Sequence, residues 1–363
     1  MKRGAQLVHI RQLCCIGLPG QALMPALLRA IRDYVPADSA GFFWVDAEGD
    51  MTNLYADRML PPGKMRTYFE RHYDGKEHPF RHAFLQRAAN KDAVTSVSAS
   101  SDMSATAYYK EILKELDAHH VLYAIVRDHG NALGQLSLYR SRRSTAFSAA
   151  DRSAIGDIIH YVSHAVSRPR ELAADMEFVD ADAEGMLICD FDGQIIEASA
   201  KSLHLLSMAL QREFNRRSPP LATGDTLPES VRHLLMQLQR ALEGERVAAP
   251  RAALDGKWGR FMISAYTLDD GRSGTDGNFS RAAIHVRRQQ PMILKLAEAM
   301  GALDISPQQR EVALLLAQGK SNQEIATALN VSNNTVNYHI KQLFMRLDAH
   351  DRAGVVEKML AGN

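Results

Sequence analysis

Residues 306–356 read SPQQREVALLLAQGKSNQEIATALNVSNNTVNYHIKQLFMRLDAHDRAGVV, and three helix starts follow one another in this stretch. Two capping boxes, at 306–309 and 321–324, place a serine before a helix and Gln or Glu at its third position, and Ser332 precedes a third helix. Only residues 330–332 separate the second helix from the third. Two amphipathic helices joined by so short a turn predict a helix-turn-helix, whereas a plain four-helix packing unit would need neither the capping boxes nor the turn.

The same stretch resembles the LuxR-type DNA-binding domain. The matching features are S-P-x-x-x-E-V, Q-G-K-S-N-x-E-I-A, L-x-V-S-x-x-T-V-x-x-H and R-L-x-A-x-x-R-A. The resemblance implies that the third helix lies in the major groove and that the fourth helix pairs two subunits. The partners expected from it are double-stranded DNA and a second copy of the chain, with RNA polymerase added if the protein is an activator.

The resemblance also assigns DNA contacts within this domain. It places Asn337, Tyr338 and Lys341 against base edges. Side chains near the DNA phosphates would be those of Gln323, Asn333, Asn334, Thr335 and Arg346. Members of the family commonly carry Lys where this chain has Asn337, and a small aliphatic residue where it has Tyr338. Because Asn pairs bidentately with adenine whereas Lys favours guanine, the base preference is expected to differ.

Composition limits the classes of protein that this chain can belong to. It has 363 residues, 46% of them hydrophobic, and a formal net charge of +1, so we expect two or three domains and exclude a histone-like polycation. DNA binding must then come from a local patch, and 325–347 contains basic but no acidic residues. Three cysteines form no disulfide framework, and no stretch approaches 18 uninterrupted apolar residues. These features predict a cytoplasmic protein with no membrane partner.

The N-terminal half predicts an antiparallel sheet flanked by helices. A helix over 20–35 precedes short strands at 39–46 and 51–55, and a strand near 93–97 is preceded and followed by helical stretches over 61–90 and 103–118. Strands at 121–128 and 132–140 form a hairpin, and Phe147-Ser148-Ala149-Ala150-Asp151 then opens a long helix with Ser148 as its cap. This closing hairpin and helix resemble the end of a GAF domain, a fold that senses small molecules.

The central region predicts a second sheet. GMLICDFDGQIIEASAKSLHLL (185–206) places an Asp192-Gly193 turn between two apolar strands and resembles the opening of a PAS domain. A helix over 228–244 and strands over 258–268 and 281–288 follow, with a glycine-rich loop at 271–280. We therefore predict an α+β multidomain fold whose two antiparallel sheets precede an all-α helix-turn-helix domain. The predicted divisions are a GAF-like domain (1–168), a PAS-like domain (175–288), a linker helix (289–303) and the DNA-binding domain (304–363).

Aromatic residues concentrate in the N-terminal domain, where a GAF-like cup would use some of them to line a ligand pocket. The candidates are Phe43, Tyr55, Tyr68, Phe69, Tyr73 and Tyr123. The stretch 65–80 also resembles the pocket of homoserine-lactone receptors, which carry a Trp, a Tyr and an Asp before a Pro. Aligned on Pro79, this chain offers Met65, Phe69 and His78 instead. The missing carboxylate argues against a lactone and favours another hydrophobic small molecule.

Other functional classes find little support in the sequence. Gly319-Lys320-Ser321 resembles a phosphate-binding loop, but Leu314 stands where a glycine is needed. His160 with His164, and His72 with His78 and His82, could hold a metal, but a packed or solvated face is the commoner use of such groups. No nucleophile with a base and no phospho-acceptor arrangement is evident, so we expect neither an enzyme nor a phosphorelay, and no cofactor beyond an unidentified small molecule. The alternative is that the first two domains bind proteins and no ligand.

Overall fold

The computed structural model describes residues 3–73, 79–89, 94–99, 104–167, 170–211, 220–268, 281–303 and 305–361. Within these ranges the chain forms two five-stranded antiparallel sheets with flanking helices, followed by a group of C-terminal helices. The predicted α+β multidomain fold is therefore confirmed. No helix in this described part of the chain is long and apolar enough to span a bilayer.

The first sheet is built from two hairpins and one edge strand. Its strands are β1 (Ser39–Val45), β2 (Met51–Ala56), β3 (Val94–Ser98), β4 (His120–Asp128) and β5 (Asn131–Arg140). The order across the sheet is β2-β1-β5-β4-β3, and every neighbouring pair is antiparallel. Both hairpins predicted from the alternating apolar residues are present, and they meet where β1 pairs with β5.

Helical segments cover both faces of this sheet. They are α1 (Arg3–Cys15), α2 (Gly20–Tyr34), α3 (Pro62–Thr67), the π-helical segment π1 (Tyr68–Tyr73), α4 (Pro79–Ala89), the π-helical segment π2 (Tyr109–Leu113) and α5 (Ala149–Val166). The predicted capping serine of α5 is confirmed, because Ser148 Oγ accepts the backbone N–H of Asp151 at 3.1 Å. Helix α1 was not predicted, although its buried Ile10, Leu13 and Cys14 have the three- and four-residue spacing of a helix face.

The two faces of the first sheet differ in chemistry, and strand β5 shows this most clearly. Leu136 and Leu138 are buried in the hydrophobic core that the sheet forms with α1, α2 and α5. Gln135, Ser137 and Tyr139 alternate with them and are also buried, at 2%, 0% and 8% exposure. Because side chains alternate across a strand, these three share the opposite face, toward α3, π1, α4 and π2. A row of buried polar groups on a central strand is unusual in a core and points to a cavity with polar groups on this wall.

The second sheet repeats the topology of the first. Its strands are β6 (Phe178–Cys189), β7 (Ile195–Ala198), β8 (Arg251–Gly256), β9 (Gly259–Leu268) and β10 (Arg281–Pro291), in the order β7-β6-β10-β9-β8. Numbered in chain order within each sheet, the strands of both sheets lie in the order 2-1-5-4-3. Strand β8 was not predicted, and its sequence RAALDG explains why: Ala, Asp and Gly are poor strand formers. Residues 269–280, which contain the predicted glycine-rich loop, lie outside the described residues.

Helices α6 (Ala200–Ala209) and α7 (Glu229–Leu242) pack on this second sheet, and a buried cation joins the sheet to the first half of the chain. Arg288 is 3% exposed and donates hydrogen bonds to the carbonyl oxygens of Trp258 at 2.8 Å and of Ala22, in α2, at 3.1 Å. Burial lowers the pKa of the Arg288 guanidinium to about 10, so the group remains charged at neutral pH.

The C-terminal helices follow β10 directly. They are α8 (Met292–Ala302), α9 (Pro307–Ala317), α10 (Asn322–Leu329), α11 (Asn333–Leu347) and α12 (Arg352–Ala361). Helix α8 begins after Pro291, as predicted, and contacts α1 and α2 as well as α9 and α12. Buried apolar side chains form one continuous cluster from α1 to α12, so the interfaces between the predicted units are apolar. The boundaries of those units stay predictions.

Candidate nucleic-acid interface and internal cavity

Helices α10 and α11 form the predicted helix-turn-helix, and backbone geometry shows how the turn closes. Asn330 ends α10 in the left-handed conformation, with φ of 52°, which Asn tolerates better than most residues. The backbone N–H of Val331 then bonds to the carbonyl oxygen of Ala326 at 3.0 Å. Ser332 starts α11 by accepting the N–H of Thr335 at 3.1 Å on its Oγ. The three-residue turn therefore satisfies the ends of both helices locally.

One face of α11 anchors the helix in the domain. Val336, Ile340, Leu343 and Leu347 are buried, as their spacing predicted, and belong to the same cluster as Ile325 of α10. With this face buried, the opposite face of the helix must point outward.

The outward face carries the three predicted base contacts. Lys341 follows Asn337 by four residues and Tyr338 by three, and all three are exposed, Tyr338 to 60%. Of the predicted phosphate contacts, Gln323, Asn333, Asn334 and Arg346 are exposed as well. Thr335 is half-buried, and its hydroxyl lies 2.8 Å from Ser332 Oγ. An exposed aromatic ring and a lysine on one helix face have the polarity that a groove of DNA requires, while the individual roles stay predictions.

A chain of hydrogen bonds orients Asn337. Arg352 of α12 donates through Nη1 to the carbonyl oxygen of Lys320 at 2.7 Å and through Nη2 to Oδ1 of Asn322. Asn322 Nδ2 in turn donates to Oδ1 of Asn337 at 2.5 Å. Because a guanidinium can only donate, Oδ1 of Asn322 must face Arg352, and its Nδ2 must face Asn337. Sequence reasoning missed this link, since the three residues lie on three different helices.

The orientation changes what Asn337 offers to a base. Bidentate pairing with adenine uses both the oxygen and the nitrogen of an Asn amide. Here one of the two lone pairs of Oδ1 already accepts from Asn322, while both Nδ2 N–H groups stay available for the groove. We therefore expect the Asn322 bond to fix which way the Asn337 amide faces a base edge, and the bidentate adenine contact stays a prediction.

Removing the donor behind Asn337 should weaken base discrimination. In Asn322→Asp the side chain still accepts from Arg352 but can no longer donate to Asn337, whereas Asn322→Ala breaks both bonds. Because a neutral hydrogen bond contributes about 1 kcal/mol, both variants should lose several-fold discrimination at one base position. Fluorescence anisotropy with duplexes that differ at single positions measures this ratio, which is insensitive to the charge that Asp adds. Equal discrimination in the wild type and both variants would show that Asn337 does not depend on Asn322.

The described residues also enclose a cavity of about 240 Å³ between the first sheet and its second layer of helices. Three of the pocket candidates offered by the sequence, Phe43, Tyr68 and Tyr123, line it. Tyr55 does not, because it faces the second sheet and packs against the rings of His204 and Trp258 at 5.5 and 5.9 Å.

Phe69 and Tyr73 also lie outside the cavity lining. Both belong to a hydrophobic cluster beside the cavity, with their ring centroids 5.3 Å apart, and the Tyr73 hydroxyl accepts the backbone N–H of Met51. Of the other residues aligned with the pocket of homoserine-lactone receptors, Met65 lines the cavity and His78 lies outside the described residues.

Polar groups that sequence reasoning missed line the same cavity. They are Tyr108, Tyr139, Gln135 and Arg87. Burial raises the pKa of Tyr108, Tyr123 and Tyr139, so these phenols are neutral and can donate hydrogen bonds at physiological pH. The signal that could have found two of them is the alternation Gln135-Leu136-Ser137-Leu138-Tyr139, in which the residues between the leucines are polar.

Two of the histidines considered as metal ligands contact other side chains in the structure. His72 Nε2 lies 3.0 Å from Glu111 Oε2, and the ring of His160 packs against that of Tyr161. His78 lies outside the described residues. Within the described ranges, no three His, Cys, Asp or Glu side chains are grouped so that they could hold a metal ion.

Three solved structures show limited similarity to this chain. A GAF domain/HD domain protein from Geobacter sulfurreducens is 19% identical, covering 41% of this chain and 93% of that one, with a TM-score of 0.32. The Vibrio cholerae VqmA dimer is 17% identical over 50% of this chain and 84% of that one, with a TM-score of 0.19. Escherichia coli SdiA is 13% identical over 93% of this chain and 88% of that one, with a TM-score of 0.26. At these TM-scores the similarities say nothing about function.

Sequence similarity is concentrated at the C-terminus. The putative HTH-type transcriptional regulator YhjB of Escherichia coli (strain K12) is 46% identical over 48 residues, which are 13% of this chain and 24% of YhjB. The chain thus spans about a quarter of the length of this curated relative. Residues 304–359 match the family described as bacterial regulatory proteins, luxR family. The helix-turn-helix of this chain is therefore a domain of the luxR family of bacterial regulatory proteins.

Proposed function

We propose that the protein is a DNA-binding transcription regulator of the LuxR type, with α11 as the helix that enters the major groove. The observation that carries this proposal is the outward face of α11. Asn337, Tyr338 and Lys341 are exposed there, while the opposite, apolar face of the helix is buried in the domain. The match of 304–359 to the luxR family supports it, since it covers the whole helix-turn-helix. We further propose that the protein acts as a dimer, because a two-fold pair of recognition helices fits two half-sites about one helical turn apart.

The two sheets would serve as sensor modules, the first GAF-like and the second PAS-like. The cavity of the first sheet would hold the signal molecule, and α8 would carry its effect to the DNA-binding domain, because this helix contacts α1 and α2 on one side and α9 and α12 on the other. Arg29 of α2 forms an ion pair with Glu298 of α8, which also accepts from Gln290 Nε2 at 2.7 Å. A ligand that favours one arrangement of these contacts would shift the DNA affinity. An activator would have RNA polymerase as a further partner.

Selection from random duplexes tests the proposal. Rounds of binding to the full-length protein should enrich two copies of one short sequence in inverted orientation, with centres about 10 base pairs apart. Anisotropy titration of the enriched duplex should then give an affinity at least about 10³-fold above that for unrelated DNA. Recovery of duplexes with no shared sequence would contradict it.

A second measurement separates sensing from the alternative, in which the two modules bind only proteins. A small molecule that occupies the cavity should raise the midpoint of thermal unfolding, because it binds the folded state alone.

A further inference from the structure

The described lining of the cavity beside the first sheet includes cations but no carboxylate. Among its described lining residues, Arg58 and Arg87 are the charged side chains, and the rest are apolar, phenolic, hydroxyl or amide groups. An organic cation would therefore find no counter-ion there, whereas an anion would find at least one guanidinium.

Arg87 is held toward the cavity by the sheet itself. It lies on the same face of α4 as Ala83, which also lines the cavity, and its Nη1 donates to Gln135 Oε1 at 2.7 Å. Its guanidinium stacks on the ring of Tyr123, 3.8 Å from the centroid. Gln135 Nε2 then donates to Ser137 Oγ at 3.1 Å, so the polar row of β5 sets the position of the cation.

This guanidinium has no anionic partner among the described residues. Of its five N–H donors, one is used by the Gln135 contact. Neighbouring carboxylates are engaged by cations other than Arg87: Asp57 lies 2.7 Å from Arg32, Glu111 3.0 Å from His72, and Asp117 4.0 Å from the second lining cation, Arg58. A half-buried cation stacked on an aromatic ring and lacking a carboxylate is well prepared to receive a planar anion in a bidentate contact.

The other lining side chains indicate the size and polarity of the part of the ligand that does not contact Arg87. Phe43, Met65, Ile112, Leu116 and Val121 offer apolar surface. The volume of about 240 Å³ is below the roughly 300–1,000 Å³ that is usual for drug-sized ligands, so the body must be small. The phenols of Tyr68 and Tyr139 add neutral donors that can bond a second acceptor oxygen.

We propose that the cavity binds a small organic acid, whose carboxylate pairs with Arg87 and whose aromatic ring or short aliphatic chain lies among the apolar side chains. This inference rests on the proposed sensing function and adds the chemical class of the signal. Arg58 contributes less, because its side chain is 48% exposed and lies near Asp117.

The test compares probes that differ only in charge. Phenylacetate and hexanoate, their neutral amides, and phenethylamine are titrated by calorimetry into the full-length protein at pH 7.5. At least one acid should bind about 10- to 100-fold more tightly than its amide, as expected for a charge-assisted bidentate contact, and the amine should not bind. Binding of neither acid at millimolar concentration, equal binding of acid and amide, or preference for the amine overturns the proposal.

Variants connect the preference to Arg87. Arg87→Gln should bring the affinity of the acid down to that of the amide, while Arg87→Lys, which keeps the charge, should retain part of the preference. Arg143→Gln removes the same charge from an exposed position after β5 and should change nothing. A loss of preference in Arg58→Gln with none in Arg87→Gln would overturn the assignment of the carboxylate to Arg87.

The same preparations distinguish failure of this inference from failure of the proposed function. Affinity for the selected duplex is measured on the wild type with and without the acid. Intact DNA binding together with equal binding of acid and amide refutes only the ligand class. Absence of sequence-specific DNA binding under both conditions, in a protein that still prefers acids, refutes only the regulator.

Discussion

Lys341→Ala is expected to lower the affinity for the selected duplex by about 1–3 kcal/mol, a factor of roughly 5 to 150. Lys341 is exposed on the face of α11 that also carries Asn337 and Tyr338, and no acidic residue occurs from 325 to 347 to compete for its charge. In the major groove an ammonium group in this position can donate to guanine acceptors or pair with a phosphate. The substitution removes that contact while the buried face of α11 is unchanged, so the fold should survive.

Salt dependence decides which of the two contacts Lys341 makes. If it pairs with a phosphate, affinity should fall by a similar factor on all duplexes, and the slope of log affinity against log salt should decrease by about one. If it contacts a base, the loss should be largest on the selected duplex, and discrimination at one position should relax. Lys201→Ala removes an equal charge from an exposed position of α6, outside the DNA-binding domain, and is the matched control. Equal affinities for the wild type and Lys341→Ala at two salt concentrations would refute a DNA contact by this residue.

The C-terminal helices could be predicted from sequence because their signals are local. Capping serines, the apolar spacing of Val336, Ile340 and Leu343, and the short turn at 330–332 each lie within a few residues of the structure that they specify. The exposed face of α11 then follows from its buried face. The orientation of Asn337 could not be derived in this way, because it depends on Arg352 and Asn322, which approach only when α10, α11 and α12 pack together.

The cavity shows where sequence reasoning stops. The sequence offers both Tyr123 and Tyr55 as pocket candidates, but composition alone does not distinguish Tyr123, which lines the cavity, from Tyr55, which packs between the sheets. Tyr55 and Phe43 lie one on each face of the β1–β2 hairpin, and which face meets a cavity depends on helices far away in the chain. The sequence did not identify Arg87 as a cavity residue, because its partner Gln135 lies 48 residues away along the chain.

Close packing in the middle of the first sheet leads to the last prediction, which concerns Gly134. This residue pairs with Trp44 across β5 and β1, and a Cβ placed on it would overlap the carbonyl oxygen of Phe43 and lie 2.8 Å from Cζ of Phe42. Because the first obstacle is backbone in a central strand, relaxation would have to separate the two strands. Gly134→Ala should therefore lower the free energy of unfolding by about 3 kcal/mol or more.

A second glycine provides a control of opposite sign. Gly156 is exposed within α5, and a Cβ there meets nothing within 4 Å, so Gly156→Ala should raise the stability by up to about 1 kcal/mol through the higher helix propensity of Ala. Urea unfolding followed by circular dichroism should move the two midpoints in opposite directions. Gly134→Ala should also disturb the neighbouring Gln135, and with it the contact to Arg87, so that any binding of phenylacetate weakens along with the fold. An unchanged midpoint in Gly134→Ala would mean that β1 and β5 are not paired as closely as the register Trp44 with Gly134 requires.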